Sequence, residues 1–130
     1  MARVPYHPEA FSKQPTGKIS RRVEHSDYLT WIRSLPCVVT GSRDVDAAHI
    51  SFADPCVGKL GRGLGAKESD RWAIPLSATE HRRQHSQNER TYWQSVGIDP
   101  VRVALALFGA YPDTELAELI IRENREARRP

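Results

Sequence analysis

The chain has 130 residues, 39% hydrophobic and 27% charged, with a formal net charge of +3 and two cysteines. That length fits one domain with a modest core, and the composition is globular rather than disordered. No apolar run nears the ~20 residues of a membrane span and no hydrophobic leader opens the chain, so a cytoplasmic protein without membrane partners is expected, its Cys37 and Cys56 free thiols.

Residues 1–24 carry Pro5, Pro8, Pro15 and Gly17 among basic and polar residues without a period, which predicts an extended basic arm ahead of one domain over 25–130. Ser26 is a candidate N-cap for a short helix from Asp27 to Ser34 with Tyr28, Trp31 and Ile32 on one side, and Pro36 ends it. Leu35 to Thr40 and Val45 to Ser51 are two β-prone runs flanking Gly41-Ser42-Arg43-Asp44, a pattern that predicts a β-hairpin with His49 near its end. A lone strand histidine is more often structural than catalytic. Phe52 to Asp70 is a glycine-rich loop. It is not a nucleotide-phosphate loop, because Ala66-Lys67-Glu68 stands where Gly-Lys-Ser/Thr is required, and it does not fit the dinucleotide glycine pattern either. A loop of that length in a small domain points to function.

Ser77 and Glu80 have capping-box spacing, which predicts a helix from Ala78 that Gly97 stops. On it His81 and His85 leave the same face one turn apart, with Asn88 and Tyr92 continuing the stripe. Neutral imidazole is the commonest protein ligand for zinc-like ions, so this stripe is a candidate metal seat; a solvated face with two incidental histidines is the alternative. Asp99-Pro100 opens a helix through Phe108 that buries Val101, Ala104, Leu105 and Phe108, and Asp113 or Thr114 caps a last helix packing through Leu116, Leu119 and Ile120. Lys59, Arg62, Lys67 and Arg71 in the loop and Arg82 on the histidine helix make the middle of the chain basic, as a phosphate-facing surface requires. Ordinary solvated charge is again the alternative.

Cys37-Val-Val-Thr-Gly41, Ala48-His49-Ile50, Gly61-x-Gly-x-Gly-x-Lys67-x-x-Asp70, Pro75-Leu76 and His81 with His85 occur in this order over residues 35–97, about half the chain. In these motifs the chain resembles HNH endonucleases of the ββα-metal fold, and most the phage recombination-enhancement nuclease branch. The resemblance implies an α+β fold with a ββα core, an N-terminal arm and helix, and two extra C-terminal helices over 99–128. It implies a cytoplasmic endonuclease that hydrolyses DNA phosphodiester bonds with little sequence readout. His49 would be the general base, and Asp70 a polar residue that orients the base or supports the site. His81 and His85 would hold one divalent ion (Mg²⁺, Mn²⁺, Zn²⁺ or Ni²⁺). Lys59, Arg62, Lys67, Arg71 and Arg82 would face DNA, and phage or host recombination proteins are further implied partners.

Two departures qualify that pattern. Ala48 occupies the position where relatives often place another metal ligand; Asp46, or secondarily Asp44, could supply the missing oxygen, or His49 is itself a ligand and no base is identified. The four positions that hold structural zinc in many relatives read Cys37, Thr40, Ser77 and Glu80 here, so no structural zinc is expected. The sequence therefore leaves a catalytically inactive DNA-binding or recombination-accessory module as the rival reading, and a small structural protein as a third.

Overall fold

The computed structural model describes residues 24–59 and 69–128. Residues 1–23 of the expected basic arm over 1–24, and residues 60–68 of the glycine-rich loop, lie outside the described residues. What is described is α+β: five α-helices and one two-stranded antiparallel sheet. The helices are α1 (Ser26–Arg33), α2 (Ala78–His85), α3 (Glu89–Val96), α4 (Pro100–Ala110) and α5 (Thr114–Ala127); the strands are β1 (Val45–His49) and β2 (Ala73–Ser77).

The sheet differs from the expected hairpin. Val45–His49 does form a strand, but its partner is Ala73–Ser77, in a register running from Val45 opposite Ser77 to His49 opposite Ala73. Leu35–Thr40 is not a strand. It curls instead, with Gly41 N–H on Cys37 O at 2.9 Å and Cys37 N–H on Ser42 O at 2.7 Å. The reason lies at the Cys37 sulfur, which accepts from the backbone N–H groups of Val39, Thr40 and Ser77 at 3.3–3.4 Å. A strand cannot fold two of its own N–H groups back onto one side chain. Val38 N–H still reaches Pro75 O at 3.1 Å, so the curl stays stitched to β2.

β2 is buried along nearly its whole length, because α1 and α4 both pack on it while β1 covers one edge. α1 starts one residue earlier than expected, capped by His25, whose Nδ1 accepts from Tyr28 N–H at 3.2 Å. Rings of His25, Tyr28, Trp31, Phe108 and Tyr111 then interlock at centroid separations of 5.0–5.8 Å, tying α1 to the end of α4.

The predicted helix from Ala78 to Gly97 is two helices. α2 ends at His85, and Asn88 caps α3 by accepting from Thr91 N–H. Asn88 therefore starts a new axis, and the stripe of His81 and His85 is not continued by Tyr92, which is buried. Half of the predicted capping box forms: Ser77 Oγ accepts from Glu80 N–H at 3.3 Å. The other half does not, because Ser77 N–H is taken by Cys37 and the Glu80 carboxylate instead accepts from Tyr92 O–H at 2.6 Å and from Arg83 at 2.9 and 3.0 Å. Gly97, at φ +73°, ends α3 as expected.

α4 buries Val101 and Ala104 as expected and Val103 and Leu107 as fully, with Leu105 and Phe108 only partly covered. In α5 the small Ala117 and Ile121 face the core, while Leu116 and Leu119 are 43% and 39% exposed. Close approach through an alanine turns the helix so that those leucines leave the interface.

Candidate functional site

Two clusters of chemistry-bearing side chains flank β1. The first sits at its C-terminal end. His49 Nε2 is 2.8 Å from Asp70 Oδ1, and Asp70 Oδ2 accepts from the backbone N–H of His25 at 2.7 Å. Three segments distant in sequence meet there: the start of α1, the last residue of β1, and the 3-10 turn Asp70–Trp72 that leads into β2. Because an ionised carboxylate only accepts, His49 carries its hydrogen on Nε2 in this contact, and its Nδ1 is left with a lone pair. The Asp70 side chain is 10% exposed and that of His49 32%, so the pair is held from behind and open at the imidazole.

The second cluster lies on α2. That helix follows β2, turns at Ser77, and runs back beside β1: His81 meets Asp46, and one turn on Gln84 Nε2 donates to Glu89 at 2.8 Å, a carboxylate that also accepts from Ser51 N–H. His81 Nδ1 is 3.1 Å from Asp46 Oδ2, and His81 Nε2 is 3.1 Å from His85 Nε2. Asp46, Ala78, His81, Arg82, His85 and Ser86 line an open recess of about 490 Å³. Two imidazole nitrogens bound at ~2.0–2.1 Å to one tetrahedral ion stand about 3.3 Å apart, so the His81–His85 spacing fits a shared divalent cation, with the remaining positions open to water or substrate. Asp46 approaches the other edge of the His81 ring. Among the described residues no group of three His, Cys, Asp or Glu has the spacing of a complete metal cage.

Strand alternation gives Asp46 and His49 opposite sides of β1. No hydrogen bond or ring contact among the described residues joins His49 to His81 or His85. The structure thus pairs His49 with Asp70 and gathers Asp46, His81 and His85, as two neighbouring groups served by one strand.

Residues 4–108 match the family described as Protein of unknown function (DUF968). The chain belongs to the DUF968 family. No curated protein and no solved structure matches it. The match spans both clusters of this DUF968 protein and leaves α5 outside.

The expected DNA-facing cations divide sharply. Arg82 is exposed at the rim of the α2 recess. Lys59 is not on the surface: it is 2% exposed, its ammonium 5.4 Å from the Trp72 ring centroid, because the apolar stem and the aromatic face give the charge a site in the interior. Arg71 is also turned inward, its guanidinium 5.3 Å from the Trp72 ring and 5.4 Å from that of Phe108. Arg62 and Lys67 lie outside the described residues. Sequence reasoning missed His25 and Glu89, which tie the two clusters to their neighbours through one backbone N–H each. The second was findable, since Ser86-Gln87-Asn88 is a helix-breaking run and Glu89 opens the helix after it.

Cys37 is fully buried. Burial pushes its thiol up, but hydrogen bonds from the Thr40 side chain and from the backbone of Thr40, Ser77 and Val39 together outweigh it and hold the thiol below its usual range. Its sulfur thus gathers three backbone N–H groups at this turn.

Proposed function

We propose that this DUF968 protein is a metal-dependent DNA endonuclease that hydrolyses phosphodiester bonds with His49 as general base. The observation that carries the reading is the His49–Asp70 pair: a carboxylate on Nε2 leaves Nδ1 as the proton acceptor of a side chain that is 32% exposed. The His81–His85 spacing beside the same strand supports it, as does the chain order β1, β2, α2 with imidazoles on the helix. In the reaction His49 Nδ1 takes a proton from water while the water oxygen attacks phosphorus. Asp70 stabilises the imidazolium that results, and the P–O3′ bond breaks with its electron pair on the leaving oxygen, which is protonated from solvent. His81 and His85 would hold a divalent ion, which would supply positive charge for the phosphate and leaving oxygens. Arg82, exposed at the rim, would meet the DNA backbone. DNA is the proposed partner together with phage or host recombination proteins, and the cytoplasm the proposed compartment. No helix among the described residues is long and apolar enough to cross a membrane.

The test is plasmid nicking with Mg²⁺, Mn²⁺, Zn²⁺ or Ni²⁺ by wild type and His49→Ala. Loss of about 10²–10⁴-fold in the variant is expected from removing a general base. Equal, negligible nicking by both sinks the enzyme reading. It would favour the second one, a DNA-binding or recombination-accessory module without turnover, which the separation of His49 from the helical pair motivates; salt-sensitive DNA binding without cleavage is its signature.

A further inference from the structure

The α2 seat is asymmetric in a way that assigns Asp46 a role other than ligand. The register sets Asp46 opposite Leu76, one residue before the strand ends at Ser77, and α2 then brings His81 above it after its first turn. The carboxylate meets Nδ1, so hydrogen sits on Nδ1 in that contact. A neutral imidazole has one N–H, which leaves Nε2 with a lone pair. That lone pair faces His85 Nε2 at 3.1 Å. In the metal-free protein His85 Nε2–H completes the contact; a cation in the same gap would be met by lone pairs from both rings. In water the histidine side chain prefers hydrogen on Nε2, the form that would block the gap. The Asp46 contact reverses that preference.

We propose that Asp46 is a positioning residue: it holds His81 as the Nδ1–H tautomer and so presents Nε2, together with His85 Nε2, to a divalent cation. This rests on the metal-seat reading above and goes beyond it by separating the ligands from the group that orients them. Partners of this kind fix ring orientation and raise ligand basicity, and their loss weakens metal binding by about 10–100-fold.

The experiment uses the full chain as wild type, Asp46→Asn, Asp46→Ala and His81→Ala. Nitrogen-15 NMR of the histidine rings, recorded without metal at a pH where they are neutral, reads the tautomer. Calorimetric titration with Zn²⁺ reads affinity, with thermal melts as a folding control. The expected result is Nδ1–H at His81 in wild type and in Asp46→Asn, whose amide oxygen still accepts, and Nε2–H in Asp46→Ala. Zn²⁺ affinity should stay near wild type in Asp46→Asn, fall about 10–100-fold in Asp46→Ala, and fall further in His81→Ala. A wild-type His81 carrying hydrogen on Nε2 overturns the proposal. So does an Asp46→Ala protein that binds as wild type does, or an Asp46→Asn protein as damaged as Asp46→Ala, which would make the carboxylate a ligand. No Zn²⁺ uptake by wild type overturns the metal seat itself and the proposal with it; with uptake intact, the tautomer and affinity results judge Asp46 alone.

Discussion

The two ends of β1 carry the same pair of groups, a carboxylate on an imidazole, in opposite surroundings. At the His49 end the Asp70 side chain is 10% exposed and both oxygens accept from N–H groups, one of them a backbone amide at the head of α1. At the Asp46 end the carboxylate is 53% exposed and touches one ring. The first arrangement is fixed by tertiary structure: three chain segments must be in place before Asp70 can hold His49. The second needs one strand residue and one helical turn. A base must be aligned before substrate arrives, which suits the closed end; a cation seat must exchange waters and admit phosphate, which suits the open one.

The same substitution should therefore have opposite consequences at the two ends. In Asp70→Asn an amide replaces a group that accepts twice, and its NH₂ must face either His49 Nε2–H or His25 N–H. If it faces His49, the ring is driven to the other tautomer and Nδ1 can no longer accept a proton. If it faces His25, a buried N–H loses its partner. Nicking should fall by roughly 10²–10⁴-fold, and melting should show a loss of about 1–3 kcal/mol for the unmatched donor. Asp46→Asn should keep most of its activity. Equal damage from the two variants would erase the distinction between the ends.

The sequence carried this contrast only in part. His81 and His85 were legible because a helix converts a spacing of four into a shared face, whatever packs around it. The caps at Ser77, Asp99 and Asp113 were legible for the same local reason. The partner of β1 was not, since Ala73–Ser77 lies beyond the glycine-rich stretch while a nearer β-prone run offered itself across a turn. Nothing in Leu-Pro-Cys-Val-Val-Thr announces that its cysteine sulfur will gather N–H groups from its own turn and from Ser77. The break at Ser86–Asn88 was hidden behind Gly97, a stronger stop signal further on. Lys59 was misplaced because charge in a loop was taken for charge on the surface, whereas its stem is buried and its ammonium lies over the ring of Trp72, which belongs to a different element.

Smaller effects should sharpen the comparison through two buried tyrosines. Tyr92 O–H donates to Glu80 at 2.6 Å beneath the open end, where Glu80 is itself 7% exposed and anchors α2 to α3. Tyr28 lies under the closed end, and its hydroxyl meets no partner among the described residues. Tyr92→Phe leaves a buried carboxylate short of a donor and should cost about 1–3 kcal/mol. Tyr28→Phe removes an unmatched hydroxyl while keeping the ring stack, so its effect should be under about 1 kcal/mol and in the stabilising direction. Urea midpoints for the two variants decide this, and a larger loss in Tyr28→Phe would place the stronger hydroxyl anchorage at the His49 end instead.

The gentlest test is alkaline pH. Burial raises the Tyr28 hydroxyl above its ordinary value of 10.0; burial and then the Glu80 contact do the same for Tyr92. The unfolded chain releases those protons near pH 10 and the fold retains them, so stability attributable to both tyrosines is full below pH 10 and declines as pH rises beyond it. Cys37 acts in the other sense, because its thiol is held below the ordinary 9.0. Its contribution is absent in acid, grows as pH climbs through the folded-state value, and is complete above pH 9. Midpoints at pH 7, 9 and 10.5, read as differences from wild type, should separate the two. Cys37→Ser should lose the gain between pH 7 and 9 while leaving the decline above 10, and Tyr92→Phe should soften the decline while leaving the earlier gain. Because Cys37 accepts from Ser77 N–H at the cap of α2 and Tyr92 grips the same helix through Glu80, the early gain and the Tyr92 share of the decline report on the footing of the open end. A Cys37→Ser profile parallel to wild type from pH 7 to 9 would mean that the sulfur accepts those N–H groups as a thiol, and that the turn draws no stability from its charge.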